Sequence, residues 1–134
     1  MAAILIVDDD PTVRLIAREL LQGGDHAIVE AENGALAMKV IEAVPIDLVV
    51  LDLLMPTMDG LEVIQSLRKS HPAVRILAIS SGGRLGSLSY REAARVFGAD
   101  EVMAKPLRIS SFVSTVDRLL QDPTSRRALE SLAG

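Results

Sequence analysis

The chain has 134 residues, of which 49% are hydrophobic and 24% are charged. This length and composition predict one folded domain, because disordered chains are richer in charge and poorer in apolar residues. Fourteen Lys and Arg against eighteen Asp and Glu give a net charge of −4. With no Lys/Arg-rich run, direct binding to nucleic acid is not expected.

The chain contains no cysteine, and its two histidines, His26 and His71, lie far apart. These counts exclude disulfides, thiolate zinc sites and thiol nucleophiles, and both histidines are expected to be structural. No apolar run approaches the ~18 residues of a membrane span, and the N-terminus has no basic leader. A cytoplasmic protein without a membrane segment is therefore expected.

Short runs rich in β-branched residues alternate five times with stretches of helical periodicity. This alternation predicts an α/β fold of repeated βα units around a parallel sheet. The first, third and fourth runs are almost continuously apolar, as expected for strands covered on both faces. The predicted strands are residues 3–7, 26–30, 46–51, 74–79 and 100–104.

Each predicted strand is followed by apolar residues at helical spacing. In the first helix Val13, Ile16 and Leu20 recur on one face, and Asp10-Pro11 supplies an N-cap followed by proline at the first helical position. The other helices are bounded by Asn33 and Pro45 (second), Pro72 (third), Gly98 (fourth) and Ser110-Ser111 (fifth).

Two segments fall outside this pattern. Residues 80–87 are rich in Gly and Ser and predict a loop between the fourth strand and the fourth helix. Residues 123–134 begin with Pro123 and carry apolar residues at helical spacing, so a short extra helix and a frayed tail are both open. The domain is expected to span residues 1–122.

Polar residues at the carboxyl ends of the predicted strands are the candidate site, because an open parallel sheet binds its ligands there. Carboxylates crowded at one edge repel one another and recruit a cation. Oxygen ligands without His or Cys favour Mg²⁺, and a nearby lysine and hydroxyl suit phosphoryl oxygens. The residues at four of these junctions are Asp8-Asp9-Asp10, Asp52, Ser80 and Lys105.

Each candidate also has a structural interpretation. Asp8 and Asp9 alone could be a solvated strand end beside a helix cap, Lys105 a surface lysine, and Ser80 could be replaced in its role by its neighbour Ser81. Asp52 favours a functional site, because it ends an apolar run and is soon followed by Met-Pro and Asp-Gly pairs, a combination that is hard to interpret as a plain turn.

Four segments occur in the order of a known family's motifs: ILIVDDDP at residues 4–11, DLVVLDLLMPTMDG at 47–60, IS at 79–80 and AKP at 104–106. From residue 3 to about 120 the chain resembles the receiver domain of two-component response regulators, the single-domain chemotaxis regulators included. The resemblance implies a flavodoxin-like (βα)5 fold: a five-stranded parallel sheet of order 2-1-3-4-5 with helices on both faces.

Carried over by position, the resemblance makes Asp52 the nucleophile that accepts a phosphoryl group from a phosphohistidine on a sensor histidine kinase or a histidine phosphotransfer protein. Asp9, Asp52 and the backbone carbonyl of Leu54 would bind Mg²⁺, and Asp8 would act mainly through the water shell of the metal. Lys105 would contact the acyl phosphate.

The resemblance also implies that Ser80 turns inward to bind the phosphoryl group, and that the Lys105-Pro106 bond is cis. The output would be a population shift of the surface formed by the fourth helix, fifth strand and fifth helix, which controls a downstream protein. Two features depart from the family: Val102 stands where many receivers carry an aromatic residue, and the Gly-rich stretch 81–88 is longer than usual.

Two alternatives compete with a working receiver. A metal-dependent phosphatase with an aspartyl nucleophile usually has a second acid two residues after it, and this chain has Leu54 there, so no enzyme activity beyond its own phosphorylation and dephosphorylation is expected. A degenerate receiver that serves only as an interaction module is disfavoured by the complete residue set. Whether the protein forms a homodimer stays open.

Overall fold

The computed structural model describes residues 2–55, 60–80 and 88–121, with only the backbone of residues 88–90. Strands and helices alternate along these residues, as the sequence predicts. The elements are β1 (Ala2–Val7), α1 (Pro11–Leu21), β2 (His26–Ala31), α2 (Gly34–Ala43), β3 (Leu48–Asp52), α3 (Gly60–Ser70), β4 (Arg75–Ser80), α4 (Leu88–Phe97), β5 (Glu101–Ala104) and α5 (Ile109–Gln121).

The five strands form one parallel sheet of order β2-β1-β3-β4-β5, which confirms the expected fold class. The strand order reverses between β1 and β3, because the chain moves from β1 to one edge and then returns to the other side. Their carboxyl ends, at Val7 and Asp52, therefore lie next to each other at the point where such sheets bind ligands.

Two apolar layers enclose the sheet because successive side chains of a strand point to opposite faces. In β1, Leu5 and Val7 join the layer under α2, α3 and α4, whereas Ile4 and Ile6 join the layer under α1 and α5. Both layers are buried, which explains why the central strands are apolar at every position between their ends. Within the described ranges, no helix combines the length and apolar character that crossing a membrane requires.

The predicted strand boundaries are wrong by one or two residues. β3 begins at Leu48 rather than residue 46, because Asp47 caps the edge of the sheet: its Oδ2 accepts the Ala3 N–H at 2.8 Å. β5 begins at Glu101 because the carboxylate of Asp100 accepts the Ile76 N–H at 2.8 Å. The strands β1 and β2 each gain a residue at one end, and β4 is shifted by one residue, from the predicted 74–79 to Arg75–Ser80.

The helix caps follow the predicted pattern except at α5. Asp10 and Asn33 accept N–H groups of the first turns of α1 and α2, and Gly98 closes α4 with a φ of +124°. The fifth helix begins at Ile109, before the predicted serine cap, because Phe112 N–H already bonds Arg108 O at 2.9 Å. The Ser111 hydroxyl donates to that same carbonyl at 3.4 Å instead of accepting from the helix.

Arg68 fixes α3 and the end of α4 to the amino edge of the sheet. Its Nε donates to Gly98 O at 2.8 Å, and its Nη2 lies 2.7 Å from Asp100 Oδ2. Its Nη1 donates to the carbonyls of Val74 and Pro72. Charge-assisted hydrogen bonds from Arg68 thus hold the amino ends of β4 and β5 against α3 and the end of α4.

The start of α3 packs directly on the end of β3. A Cβ built on Gly60 would lie 2.5 Å from Leu53 Cα and 2.9 Å from Asp52 O. Only glycine allows this approach of helix to strand, so the backbone that carries Asp52 is fixed from one side by α3.

We expect Gly60→Ala to lower the free energy of unfolding by about 1–3 kcal/mol, because the added methyl meets backbone that cannot move aside. Gly23→Ala is the matched control, since nothing lies within 4 Å of a Cβ there. Urea denaturation of both variants checks this. Equal midpoints for the two variants would contradict the close packing of α3 on β3.

Candidate functional site

Three carboxylates meet at the carboxyl ends of β1 and β3. Val7 of β1 pairs with Leu51 of β3, which places Asp8 beside Asp52. Carboxylate oxygens of Asp8, Asp9 and Asp52 all lie within 4.8 Å of one another. Asp8 and Asp52 are 3% and 4% exposed, whereas Asp9 is open to solvent. The structure therefore brings together the acidic residues that the sequence singled out.

The backbone around Asp8 is held by three hydrogen bonds. Its N–H donates to Ala31 O at 3.2 Å, and its carbonyl accepts from Arg14 Nη1 at 2.6 Å. Its Oδ1 accepts the N–H of Asp10 at 2.9 Å. These bonds leave Oδ2 of the carboxylate facing the site.

Lys105 lies between the two buried carboxylates. Its Nζ is 3.1 Å from Asp8 Oδ2 and 3.5 Å from Asp52 Oδ2. The backbone positions the side chain: the Lys105 N–H donates to Ser80 O at 2.8 Å, and the bond to Pro106 is cis, as the resemblance implied. One ammonium group thus partly neutralises two carboxylates.

Burial, followed by repulsion from Asp8, raises the pKa of Asp52 to about 6. The Leu54 N–H, which donates to Asp52 Oδ1 at 3.1 Å, and the Lys105 ammonium lower the pKa but do not compensate for this. Burial lowers the pKa of Lys105, but the two carboxylates outweigh it and the net shift is upward. The lysine therefore stays protonated, but its single positive charge does not balance the negative charge of the carboxylates.

The donor set fits a hard divalent cation. It consists of carboxylate oxygens, one of them on the exposed Asp9, which gives a bound ion access to water. Mg²⁺ favours such sites because it binds one or two carboxylates and keeps several waters. Leu54, the expected backbone ligand, is next to this cluster through its bond to Asp52.

Ser80, the last residue of β4, is 1% exposed and lies next to this cluster through its backbone. Its hydroxyl accepts a hydrogen bond from Arg91 Nε of α4 at 3.3 Å. The structure therefore places the Ser80 main chain against Lys105, and the Ser80 side chain against α4.

Sequence reasoning missed two arginines, Arg14 and Arg91. Arg14 could have been found, because it follows Asp10 by one helical turn and so lies over the acidic strand end. Arg91 could not, since its contact with Ser80 joins a helix to a strand end that no local pattern relates. His26 lies 3.9 Å from Asp117, and His71 Nδ1 lies 2.8 Å from the Ser70 hydroxyl, so neither contacts the acidic cluster.

Without metal, we expect Asp52→Asn to be more stable than the wild type at neutral pH by about 1–3 kcal/mol. The pKa of Asp52 is about 6 in the folded protein and lower when unfolded, so the wild type loses stability as pH rises through that range. Asn does not titrate, so the advantage of the variant should vanish near pH 4. Chemical denaturation in EDTA from pH 4 to 8 checks this, and a difference independent of pH would contradict it.

Comparison with known proteins identifies the family of this chain. Residues 4–117 match the family model of the response regulator receiver domain. The response regulator MprA of Mycobacterium bovis is 34% identical over 130 residues, covering 97% of this chain and 55% of the relative. MprA of Mycolicibacterium vanbaalenii is 35% identical over 121 residues, covering 90% and 51%. The chain therefore spans about half the length of the curated relatives it matches.

Solved structures agree in fold. The response regulator TrrA of Thermotoga maritima, solved in complex with Mg²⁺-BeF, has a TM-score of 0.79 at 34% identity and covers 90% of this chain and 100% of its own. The chemotaxis protein CheY4 of Vibrio cholerae has a TM-score of 0.81 at 24% identity, covering 90% and 99%, and supports the fold alone. By its matching motifs, sheet order and acidic site, the chain belongs to the response regulator receiver domain family.

Proposed function

We propose that Asp52 is the phosphoacceptor of a two-component phosphorelay, and that its phosphorylation changes how the chain binds a downstream protein. The observation that carries this proposal is the buried Asp52 carboxylate, placed beside two further acids and 3.5 Å from the Lys105 ammonium. The Lys105 ammonium suits a phosphoryl oxygen, and the two neighbouring acids suit the divalent cation that phosphoryl transfer requires.

Transfer needs little covalent chemistry from the protein. An Asp52 oxygen attacks the phosphorus of a phosphohistidine, an O–P bond forms and the P–N bond of the donor breaks. The donor would be a sensor histidine kinase or a histidine phosphotransfer protein. Lys105 then faces a phosphoryl oxygen, because the new group lies next to the carboxylate oxygen that Lys105 already contacts.

Mg²⁺, when bound, supplies positive charge against the phosphoryl oxygens as they approach the acidic cluster. Asp9, Asp52 and the Leu54 carbonyl would hold it, and Asp8 would act mainly through its water shell. Lys105 is already paired with Asp8 at 3.1 Å, which fits a role for Asp8 outside the metal's direct ligands.

The phosphorylated chain would act through a shift in the population of the surface formed by α4, β5 and α5. Its receiver unit would span residues 1–122, followed by a short tail or an extra helix at residues 123–134, which lie outside the described residues. The mycobacterial relatives are about twice as long as this chain, so a further output domain in the natural protein is consistent with the match. No activity on outside substrates is proposed.

Mg²⁺ should raise the melting temperature, because it binds the folded acidic cluster better than the unfolded chain. With free Mg²⁺ about tenfold above its Kd the gain is about 1.4 kcal/mol, or roughly 4 °C. Differential scanning fluorimetry from 0 to 20 mM MgCl₂ measures it. Asp9→Asn should lose most of the shift, and Asp25→Asn, which changes an exposed carboxylate elsewhere, should keep it. The same shift in both variants would contradict the metal assignment.

Incubation with Mg²⁺ and acetyl phosphate should add one phosphoryl group, measured by intact mass. The adduct should be labile to base, as an acyl phosphate is, and absent from Asp52→Asn. Lys105→Ala should lower its yield at least tenfold, because the charge that stabilises the transferred group is lost. An adduct of normal yield on folded Asp52→Asn would overturn the assignment of the acceptor.

A further inference from the structure

Arg91 connects α4 to the edge of the candidate site. It lies near the start of α4, and its Nε donates to Ser80 Oγ at 3.3 Å. Ser80 is the last residue of β4 and is 1% exposed, so the bond forms beneath the surface. A side chain of the proposed output surface thus directly contacts a hydroxyl at the phosphorylation site.

The direction of the Ser80 side chain follows from the alternation of β4. Ala78, two residues earlier, packs in the apolar layer that contains Ala94 of α4, whereas Ile79 packs in the opposite layer. Ser80 therefore points toward α4, where Arg91 donates a hydrogen bond to its hydroxyl.

The other end of α4 is fixed independently. Ala94 is fully buried, and Gly98 O accepts from Arg68 Nε at 2.8 Å. Arg95, one turn after Arg91, pairs with Glu101 of β5 at 3.2 Å. The Arg91–Ser80 bond can therefore change without loss of the contacts that hold the second half of the helix.

The bond is directional. A guanidinium group only donates, so the Ser80 oxygen is the acceptor here. Under the proposed function, on which this inference rests, the hydroxyl turns toward a phosphoryl group on Asp52. A serine side chain occupies one staggered rotamer at a time, and rotation toward Asp52 takes its oxygen away from α4.

We propose that Arg91 is a positioning residue that holds the Ser80 hydroxyl on the α4 side of the sheet, and that phosphorylation of Asp52 breaks this bond and frees the first turns of α4. Val102, which pairs with Ala78 across β4 and β5, is aliphatic and packs in the same layer as α4. Its side chain cannot supply a hydrogen bond in place of Arg91.

Beryllofluoride with Mg²⁺ is a stable mimic of the acyl phosphate, and its Kd can be measured by NMR titration of backbone amides. Arg91→Ala should bind it about three- to tenfold more tightly, because the competing hydrogen bond is gone. In a Ser80→Ala background, Arg91→Ala should give no tightening, since the bond it removes is already absent. Arg91→Lys should lie between the wild type and Arg91→Ala.

Arg95→Ala is the matched control, because it removes the same charge from the same helix without touching Ser80. Its Kd should equal that of the wild type. Hydrogen exchange of residues 88–97 gives a second readout that does not require phosphate. Without ligand, Arg91→Ala should exchange in the first turns of α4 as fast as the wild type does with beryllofluoride.

Three results would count against the proposal. Weaker binding of Arg91→Ala in both backgrounds would make Arg91 a direct anion ligand instead. Unchanged Kd and unchanged exchange would make its bond to Ser80 incidental. Failure of the wild type to bind beryllofluoride with Mg²⁺ would overturn the proposed function itself, a result distinct from the first two, in which the wild type binds normally.

Discussion

The buried contact of Lys105 with two carboxylates is the interaction on which the candidate site depends. Its Nζ lies 3.1 Å from Asp8 and 3.5 Å from Asp52, and one positive charge cannot neutralise both. Burial of the Asp52 carboxylate, followed by repulsion from Asp8, therefore still raises the pKa of Asp52. The folded protein thus has an unfavourable charge arrangement at one edge of the sheet, which a bound divalent cation would relieve. Binding sites commonly lower the stability of the folded protein in this way, because the groups that bind a ligand repel one another without it.

The remainder of the fold holds these groups in position. Gly60 brings the start of α3 against the backbone of Asp52 and Leu53, and the apolar strands on both sides leave the site edge no freedom to relax. At the opposite edge Arg68 binds backbone carbonyls and Asp100. The Asp52 carboxylate is therefore buried, and the exposed Asp9 of the same cluster faces solvent.

The two ends of helix α4 are held by different contacts. Its second half is anchored through Ala94 and Gly98, whereas its first turns contact the site through Arg91. Under the proposed function, a helix fixed at one end and bonded to Ser80 at the other would respond to phosphorylation with small changes in packing. Val102 is aliphatic, so the hydrogen bond between this helix and Ser80 comes from Arg91.

The sequence by itself determined the α/β class, the number of elements, most caps and the acidic residues at the strand ends, because apolar periodicity, Pro, Gly and Asn act locally. The strand order came from family resemblance, and so did the proposal that Ser80 and Lys105 contact a phosphoryl group on Asp52. Only the tertiary structure decided that Lys105 contacts both buried carboxylates, that Ser80 faces Arg91 and that α5 begins at Ile109. The two side-chain contacts join different elements, which no local pattern records, whereas α5 begins early because the Phe112 N–H bonds Arg108 O in place of a serine cap.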